Sequence, residues 1–336
     1  MAKYLVTGGC GFIGSHLADA LIARGHAVRI VDDLSSGRIE NKPAAAELYK
    51  GDVADPYLVA TAMRGMDGCF HLAAVASVER SNIDWSATHR TNLTGSITVF
   101  DAARRANARS SIPVVYASSA AIYGGNLDMP LSETSVTHPL SAYGADKLGS
   151  ELHGFVAWHV HGVPTCGLRF FNVYGPRQDP ASPYSGVISI FCDRMRAGRE
   201  IVIYGDGGQS RDFIFVGDVV RALLAAMEHT TAAAQSYNVC TGKPTTLREL
   251  VEAIGDALET TPSITYAPPR QGDIRVSCGD PSGARAALGF EARTGLAEGL
   301  VRTLPSSSRA PRIPIPGRLL VTGVQGGKYQ NGRAIA

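Results

Sequence analysis

Short runs of β-branched and aromatic residues alternate along this chain with longer stretches of helical character. Tyr4–Val6 reads as a strand, followed by a glycine turn and a helix from about Phe12 to Arg24 that Gly25-His26 ends. Ala27–Val31 supplies the next strand, and Cys69–Ala73 and Val114–Ala117 read the same way. Helical stretches lie near Trp85–Ala106 and Ala142–His161. Strands alternating with helices imply βαβ units, a parallel sheet and helices on both of its faces. The right-handedness of such crossovers leaves a doubly wound α/β fold of Rossmann type.

The texture changes after residue 168. Prolines and glycines cluster at Gly175-Pro176, Asp179-Pro180, Ser182-Pro183, Gly205–Gly208 and Pro268-Pro269. Loops this dense commonly line a site on a rigid scaffold. The chain therefore divides into a doubly wound α/β domain over residues 1–168, with about 212–238 packing back on it through a helix near Val216–Glu228. A smaller, loop-rich substrate domain occupies most of 169–304. Residues 305–336 form a basic tail that is expected to be poorly ordered.

Composition narrows the function. The formal charge of +2 is an effect of that tail, which holds five basic residues and no acidic one; without it 27 Lys and Arg face 30 Asp and Glu. A body of negative net charge lacks the electrostatic footprint of a nucleic-acid binder. No apolar run approaches the roughly 18 residues of a membrane span. The six cysteines are scattered with no CxxC pair, and Met1–Gly9 runs straight into a glycine turn instead of resembling a secretory leader. Reduced thiols in a cytoplasmic protein are the expectation.

Between the first strand and first helix stands Thr7-Gly8-Gly9-Cys10-Gly11-Phe12-Ile13-Gly14. Its glycines allow a tight turn, close approach of backbone to a pyrophosphate, and close packing of helix on strand. Asp32 ends the second strand 18 residues after Gly14, close to the spacing of the acid that binds ribose hydroxyls. A carboxylate there repels a 2′-phosphate and favours NAD over NADP, with Arg38 the one feature pointing the other way. Gly51-Asp52-Val53 ends a further strand and suits the adenine edge. Downstream, Tyr143 and Lys147 lie four apart on one helix face, and Ser118-Ser119 follows the strand Val114–Ala117 at the end where open α/β sheets bind ligands. A nearby cation lowers the pKa of a phenol, which is what Lys147 is expected to do for Tyr143. The three histidines His153, His159 and His161 show no metal-ligand pattern, and no metal is expected.

The runs TGGCGFIG, HLAAVAS (His71–Ser77), YASSAAIYG (Tyr116–Gly124), YGADK and RFFNVYGPRQDP (Arg169–Pro180) together resemble the extended short-chain dehydrogenase/reductase family, and within it the nucleotide-sugar 4-epimerases. The resemblance covers about residues 1–304. It implies that Ser119, Tyr143 and Lys147 are catalytic. NAD contacts are implied at Gly8, Gly11, Phe12, Ile13, Gly14, Asp32, Asp33, Ser35, Ser36, Gly37, Asp52, Val53, Leu72, Ala73, Ala74, Ala76, Asn92, Tyr143, Lys147 and Phe170. It further implies that a UDP-sugar meets Ser77, Ser119, Tyr143, Asn172, Val187, Tyr204, Arg211, Arg270, Asp273 and Ser277. The dehydratase branch carries Asp-Glu after the catalytic Ser or Thr, and decarboxylating relatives keep the second acid. Ala120-Ala121 stands there in this chain, which disfavours both reactions.

Ser277 falls where strict UDP-glucose epimerases of the family carry tyrosine and relatives accepting N-acetylated sugars carry a smaller residue. That favours UDP-GlcNAc/UDP-GalNAc interconversion, with UDP-Glc/UDP-Gal as an additional pair and UDP-glucuronate as a third candidate. The resemblance also implies a homodimer through helices near Leu93–Ala106 and Ala142–His161. A non-catalytic NAD sensor and a reductase that releases NADH are the rival readings.

Overall fold

Leu5 and Val6 are neighbours in sequence but belong to different cores, because successive side chains of a strand point to opposite faces. In the computed structural model, which describes residues 1–106, 111–179, 186–230, 234–269 and 274–304, this alternation organises the main sheet. Its first six strands are β1 (Lys3–Thr7), β2 (Ala27–Asp32), β3 (Glu47–Lys50), β4 (Gly68–His71), β5 (Val114–Ser119) and β6 (Thr165–Phe170). The chain then forms β7 (Asn172–Tyr174), β8 (Ile201–Tyr204) and β9 (Ser210–Phe215), and returns to the main sheet with β10 (Ala234–Val239). Three short strands follow: β11 (Pro244–Thr246), β12 (Ile264–Ala267) and β13 (Val276–Ser277).

The main sheet has seven parallel strands in the order β10-β6-β5-β4-β1-β2-β3. The chain runs outward from β1 to β3 and then resumes on the other side of β1 with β4. That reversal is the switch point at which doubly wound sheets bind ligands, beyond the C-terminal ends of the strands. On one face Val6, Ile30, Phe70, Val115 and Leu168 pack against Leu17 and Leu21 of the helix Phe12–Ala23 and Val219, Leu223 and Met227 of the helix Val216–His229. On the other, Leu5, Val31, Cys69, Val114 and Tyr116 meet the helices Pro56–Met63, Gly95–Arg104 and Ala142–His161 through Val59, Met63, Val99, Phe100 and Ala157.

A second core lies where Phe213 and Phe215 of β9 and Ile201 and Ile203 of β8 pack with Ile188, Phe191, Leu250 and Ile254 of the helices Val187–Arg196 and Leu247–Leu258. The latter starts with a full capping box, Thr246 and Glu249 satisfying one another's backbone donors. β9 is the spine of this part: it pairs with β7, β11 and β13.

Two expectations need correction. The stretch Trp85–Ala106 is not one helix but three pieces: Trp85–His89, a π-helical turn Arg90–Thr94, and Gly95–Arg104. A π-turn widens the hydrogen-bond spacing by one residue, which no composition signals. The strand expected to end at Gly51-Asp52-Val53 ends at Lys50. All six cysteines are buried free thiols. Among the described residues no helix is long and apolar enough to cross a membrane.

Candidate active site

The glycine turn is as tight as its sequence requires. Gly8 adopts φ 71°, and a Cβ there would lie 2.7 Å from the Ala73 nitrogen. A Cβ on Gly14 would lie 2.1 Å from the Gly8 carbonyl oxygen. The helix Phe12–Ala23 begins at Gly11 with no side-chain cap and no acid in its first turn, so its first amides and its dipole face the turn uncompensated. Phe12 and Ile13 both pack into the second core. These features fit a dinucleotide pyrophosphate.

Asp32 is buried at the end of β2 and accepts from the amides of Cys10 and Leu34, each at 2.9 Å. Burial raises its carboxyl above the ordinary range, against the effect of those two bonds. Gly37 is required beside it, since a Cβ would sit 2.8 Å from Asp32 Oδ1. Asp33 holds Ser35 through its amide (2.9 Å) and hydroxyl (2.7 Å), and Ser36 lies in the same bend. Arg38 does not stand ready for a 2′-phosphate: its guanidinium is paired with Asp179 at 2.5 Å. Asp52 is paired with Arg90 at 2.9 Å, while the neighbouring Val53 is turned into the core beneath the sheet.

The loop after β4 is anchored twice. Thr7 Oγ1 accepts from the amides of Leu72 and Ala73, both at 3.2 Å. Asn92, on the π-turn, clamps Val75 by accepting from its amide (2.8 Å) and donating to its carbonyl (3.2 Å), which fixes the run Ala74–Ala76 between. Ser77 then caps the helix Val78–Ile83 by accepting from the Arg80 amide at 3.0 Å.

Ser119, Tyr143 and Lys147 converge above the end of β5. Ser119 is the rung partner of Phe170 on β6, and its hydroxyl oxygen accepts from the Ala121 amide at 3.1 Å. The helix Ala142–His161 is capped by Ser141 and comes so close to the Ala120–Tyr123 turn that a Cβ on Gly144 would lie 2.7 Å from the Ala121 carbonyl oxygen. Tyr143 is held by its amide, which donates to Ser81 Oγ at 3.1 Å, and Ser119 acts on its phenol in the direction that favours ionisation. Lys147 is buried; its Nζ donates to the Ala117 carbonyl at 2.8 Å and lies 5.8 Å from the centre of the Tyr143 ring. Burial draws Lys147 down to about 8, with Asp146 opposing. Burial raises the pKa of Tyr143, and Ser119 opposes that.

Beneath these residues His71 is locked between Thr7 Oγ1 (2.7 Å) and Ser96 Oγ (3.1 Å). Ser96 spends its one hydrogen on the Asn92 carbonyl (2.6 Å), so toward His71 it accepts. The imidazole therefore carries its hydrogen on Nε2 and takes one from Thr7 on Nδ1. Burial, then the Lys147 charge, hold it neutral by lowering its pKa to about 3. A second buried network joins Arg169 of β6 to Glu151 through two bonds of 2.9 and 2.8 Å, and to Tyr123 Oη at 2.8 Å. Sequence reading did not find either network; both consist of residues ordinary in type whose partners are distant along the chain.

In the second part, Arg211 on β9 is flanked directly by Ser277 on β13 and Thr245 on β11, and Asn172 pairs with Phe213 two residues further along β9. One ladder thus gathers Asn172, Arg211 and Ser277. Arg211 donates to the carbonyls of Ser210 (2.8 Å) and Ile274 (2.6 Å). Val187 opens the helix Val187–Arg196. Tyr204 ends β8 and lines a cavity of about 710 Å³ with Asp206, Arg248, Tyr266 and Arg275. Arg270, Asp273 and the segment 305–336 lie outside the described residues. No cluster of three or more His, Cys, Asp or Glu side chains able to hold a metal occurs among the described residues.

Residues 4–240 match the model of the NAD dependent epimerase/dehydratase family. The chain belongs to that family. NAD is accordingly its cofactor, and the fold around β1, β2 and β4 is the family's. The chain is 40% identical over 309 residues to the UDP-glucose 4-epimerase of Mycolicibacterium smegmatis, covering 90% of this chain and 97% of that one. It is also similar to the UDP-glucose 4-epimerase of Thermotoga maritima, solved with UDP-glucose, at 38% identity and a TM-score of 0.85, covering 90% and 97% of the two chains. The UDP-N-acetylglucosamine 4-epimerase of Methanobrevibacter ruminantium M1, solved with UDP-N-acetylmuramic acid, stands equally near, with 38% identity, a TM-score of 0.85 and coverage of 90% and 96%.

Proposed function

We propose that this NAD-dependent isomerase inverts C4 of a UDP-hexose, with UDP-GlcNAc and UDP-GalNAc its main pair and UDP-Glc and UDP-Gal a second. NAD, held by the Gly8–Gly14 turn and Asp32, would supply a reversible hydride acceptor for C4. Tyr143 receives the proton of the 4-hydroxyl, and Ser119 orients that hydroxyl. Lys147 supplies positive charge beneath the phenol from its fixed seat on the Ala117 carbonyl. Once the 4-keto sugar has turned over, Tyr143 would return the proton to the C4 oxygen. Ala120 and Ala121 offer no group to move protons at C5 or C6, which supports epimerisation over elimination.

Asp32 is assigned to the ribose hydroxyls, the Gly8–Gly14 turn to the pyrophosphate of NAD, and Arg211, with Arg270, to the diphosphate of the sugar. Residues 1–168 with 212–238 form the cofactor half of the enzyme, and most of 169–304 the sugar half. The single observation that carries the choice of sugar is Ser277 standing beside Arg211 on the β9–β13 rung. A hydroxymethyl there leaves room for a 2-acetamido group that a tyrosine ring would fill, and excluding an added group requires something for it to strike.

Proton NMR of the anomeric region, with UDP-GlcNAc and UDP-Glc together and no added NAD, tests both levels. UDP-GalNAc signals growing faster than those of UDP-Gal support the full proposal. Growth of UDP-Gal alone overturns the choice of sugar, and conversion of neither sends the search to UDP-glucuronate and then to a sensor role. Accumulating absorbance at 340 nm would instead mark a reductase-type exchange. Ser277→Tyr is expected to lower kcat/KM for UDP-GlcNAc relative to UDP-Glc by about 10- to 200-fold.

The enzyme is proposed to be a cytoplasmic homodimer. On the helix Ala142–His161, Leu152, Phe155, Val156 and Val160 are exposed, as is Ile97 on Gly95–Arg104. An apolar stripe of this kind is costly to leave in water and suits an isologous interface. Light scattering coupled to size exclusion is expected to give twice the chain mass, and half that value for the double variant Leu152→Glu/Phe155→Glu.

A further inference from the structure

We propose that His71 is a positioning residue for NAD: as an imidazole carrying one hydrogen, on Nε2, it hangs both ends of the segment Ala73–Val75 from a single side chain and so sets that segment against the glycine turn. The link to NAD rests on the contacts implied above at Leu72, Ala73, Ala74 and Ala76; the directions of the hydrogen bonds do not.

His71 ends β4 and is the rung partner of Thr7 at the end of β1, beside the point where the strand order reverses. Thr7 Oγ1 stands 2.7 Å from Nδ1 of the ring. The same oxygen accepts from the Ala73 amide at 3.2 Å, and it shares the Leu72 amide with the Thr7 carbonyl, at 3.2 and 3.1 Å. A hydroxyl whose lone pairs face amides has its hydrogen left to give, and here that hydrogen goes to Nδ1. At the other side of the ring, Ser96 Oγ stands 3.1 Å from Nε2 and gives its own hydrogen to the Asn92 carbonyl at 2.6 Å. It therefore accepts from Nε2. The two ends, taken separately, require the same tautomer.

That tautomer governs the segment from both directions. Ala73 is held through Thr7. Val75 is held through Asn92, whose side chain accepts from the Val75 amide at 2.8 Å and donates to its carbonyl at 3.2 Å. Asn92 stands in the π-turn Arg90–Thr94, and the Ser96 hydroxyl ties its carbonyl back to the helix Gly95–Arg104. The segment has no slack, since a Cβ on Gly8 would lie 2.7 Å from the Ala73 nitrogen and 2.9 Å from the Leu72 carbonyl carbon. Backbone thus rests on backbone, and a displacement begun at His71 reaches the turn assigned to the pyrophosphate with no side chain between to absorb it. A doubly protonated ring would turn a donor on Thr7 and compete with the Ala73 amide; burial and the nearby Lys147 charge keep the ring neutral.

NAD release from the full-length holoenzyme is measured without sugar, by trapping the freed cofactor with alcohol dehydrogenase and ethanol and following the NADH that forms. Thr7→Val removes the hydroxyl and keeps the shape; it and His71→Leu are each expected to speed release by about 5- to 10-fold, the worth of one hydrogen bond. Thr7→Ser keeps the hydroxyl and is expected to release NAD at the wild-type rate. In ¹⁵N spectra of the histidine rings at neutral pH, the pair of resonances lost in His71→Leu is expected to show a hydrogen on Nε2 and none on Nδ1.

The opposite tautomer, or an imidazolium, overturns the proposal. So does an unchanged release rate in folded Thr7→Val, and lower thermal stability with unchanged release marks the network as merely structural. Equal acceleration in Thr7→Val and Thr7→Ser overturns the part given to the hydroxyl. Should His71→Leu fail to fold, the two Thr7 variants decide alone. Because no sugar is present, failure here is distinguishable from failure of the epimerase reading, which the anomeric NMR experiment decides.

Discussion

Tyr143→Phe is expected to lower kcat on UDP-sugar by on the order of 10²–10⁴-fold, the usual worth of a positioned acid–base group. The ring, its packing and the amide bond to Ser81 survive the substitution; only the phenolic oxygen is lost. KM for the sugar and the amount of NAD retained on purification are therefore expected to change little. Steady-state kinetics read by anomeric NMR, with NAD content measured on the denatured protein, separate the two effects. A Phe variant that keeps a tenth or more of the wild-type kcat would remove Tyr143 from the chemistry. A variant that has lost its NAD would make it a cofactor residue only.

The second large effect is on stability. Replacing Arg169 by leucine leaves Glu151 buried with its partner gone, and breaking such a pair from one side costs about 3–5 kcal/mol. The guanidinium is held firmly: burial disfavours its charge, yet the bonds and charge of Glu151 and then Tyr123 raise its pKa. The network reaches well beyond the pair. Ser118 donates to Glu151, and Tyr123 donates to Asn238 of β10 at 2.7 Å, so β5, β6, β10 and the helix Ala142–His161 share it. Urea unfolding followed by far-ultraviolet circular dichroism is expected to show a lowered midpoint with an unchanged slope, the slope times the midpoint shift giving that loss. The double variant Arg169→Leu/Glu151→Leu is expected to recover much of the loss, because no unpaired charge remains.

What could be read in the sequence was local. The turn Gly8–Gly14, Asp32 at the end of β2, and Tyr143 and Lys147 on one helix face are each set by spacing within one or two elements, and the structure places them at one end of the sheet. The helix over Val216–Glu228 was legible for the same reason and is found as Val216–His229. The π-turn carrying Asn92 was not, because it changes a hydrogen-bond register without any change in residue type. Nor were the partners of polar side chains: His71 meets Thr7, Asp146 meets His89, and Arg38 meets Asp179, over separations of 64, 57 and 141 residues. Such pairings are decided by topology.

The route of the chain has a consequence for how the protein is made. Strand β6 is complete at Phe170, but its outer neighbour in the main sheet, β10, begins only at Ala234. At a synthesis rate of roughly 5–20 residues per second, the nascent chain carries an open, apolar strand edge for several seconds before its own continuation can cover it. An unpaired edge is a template for other chains. Ribosomes that stall or terminate between these two strands would release the most adhesive form of this polypeptide, and the need for chaperone protection during translation is expected to be concentrated there.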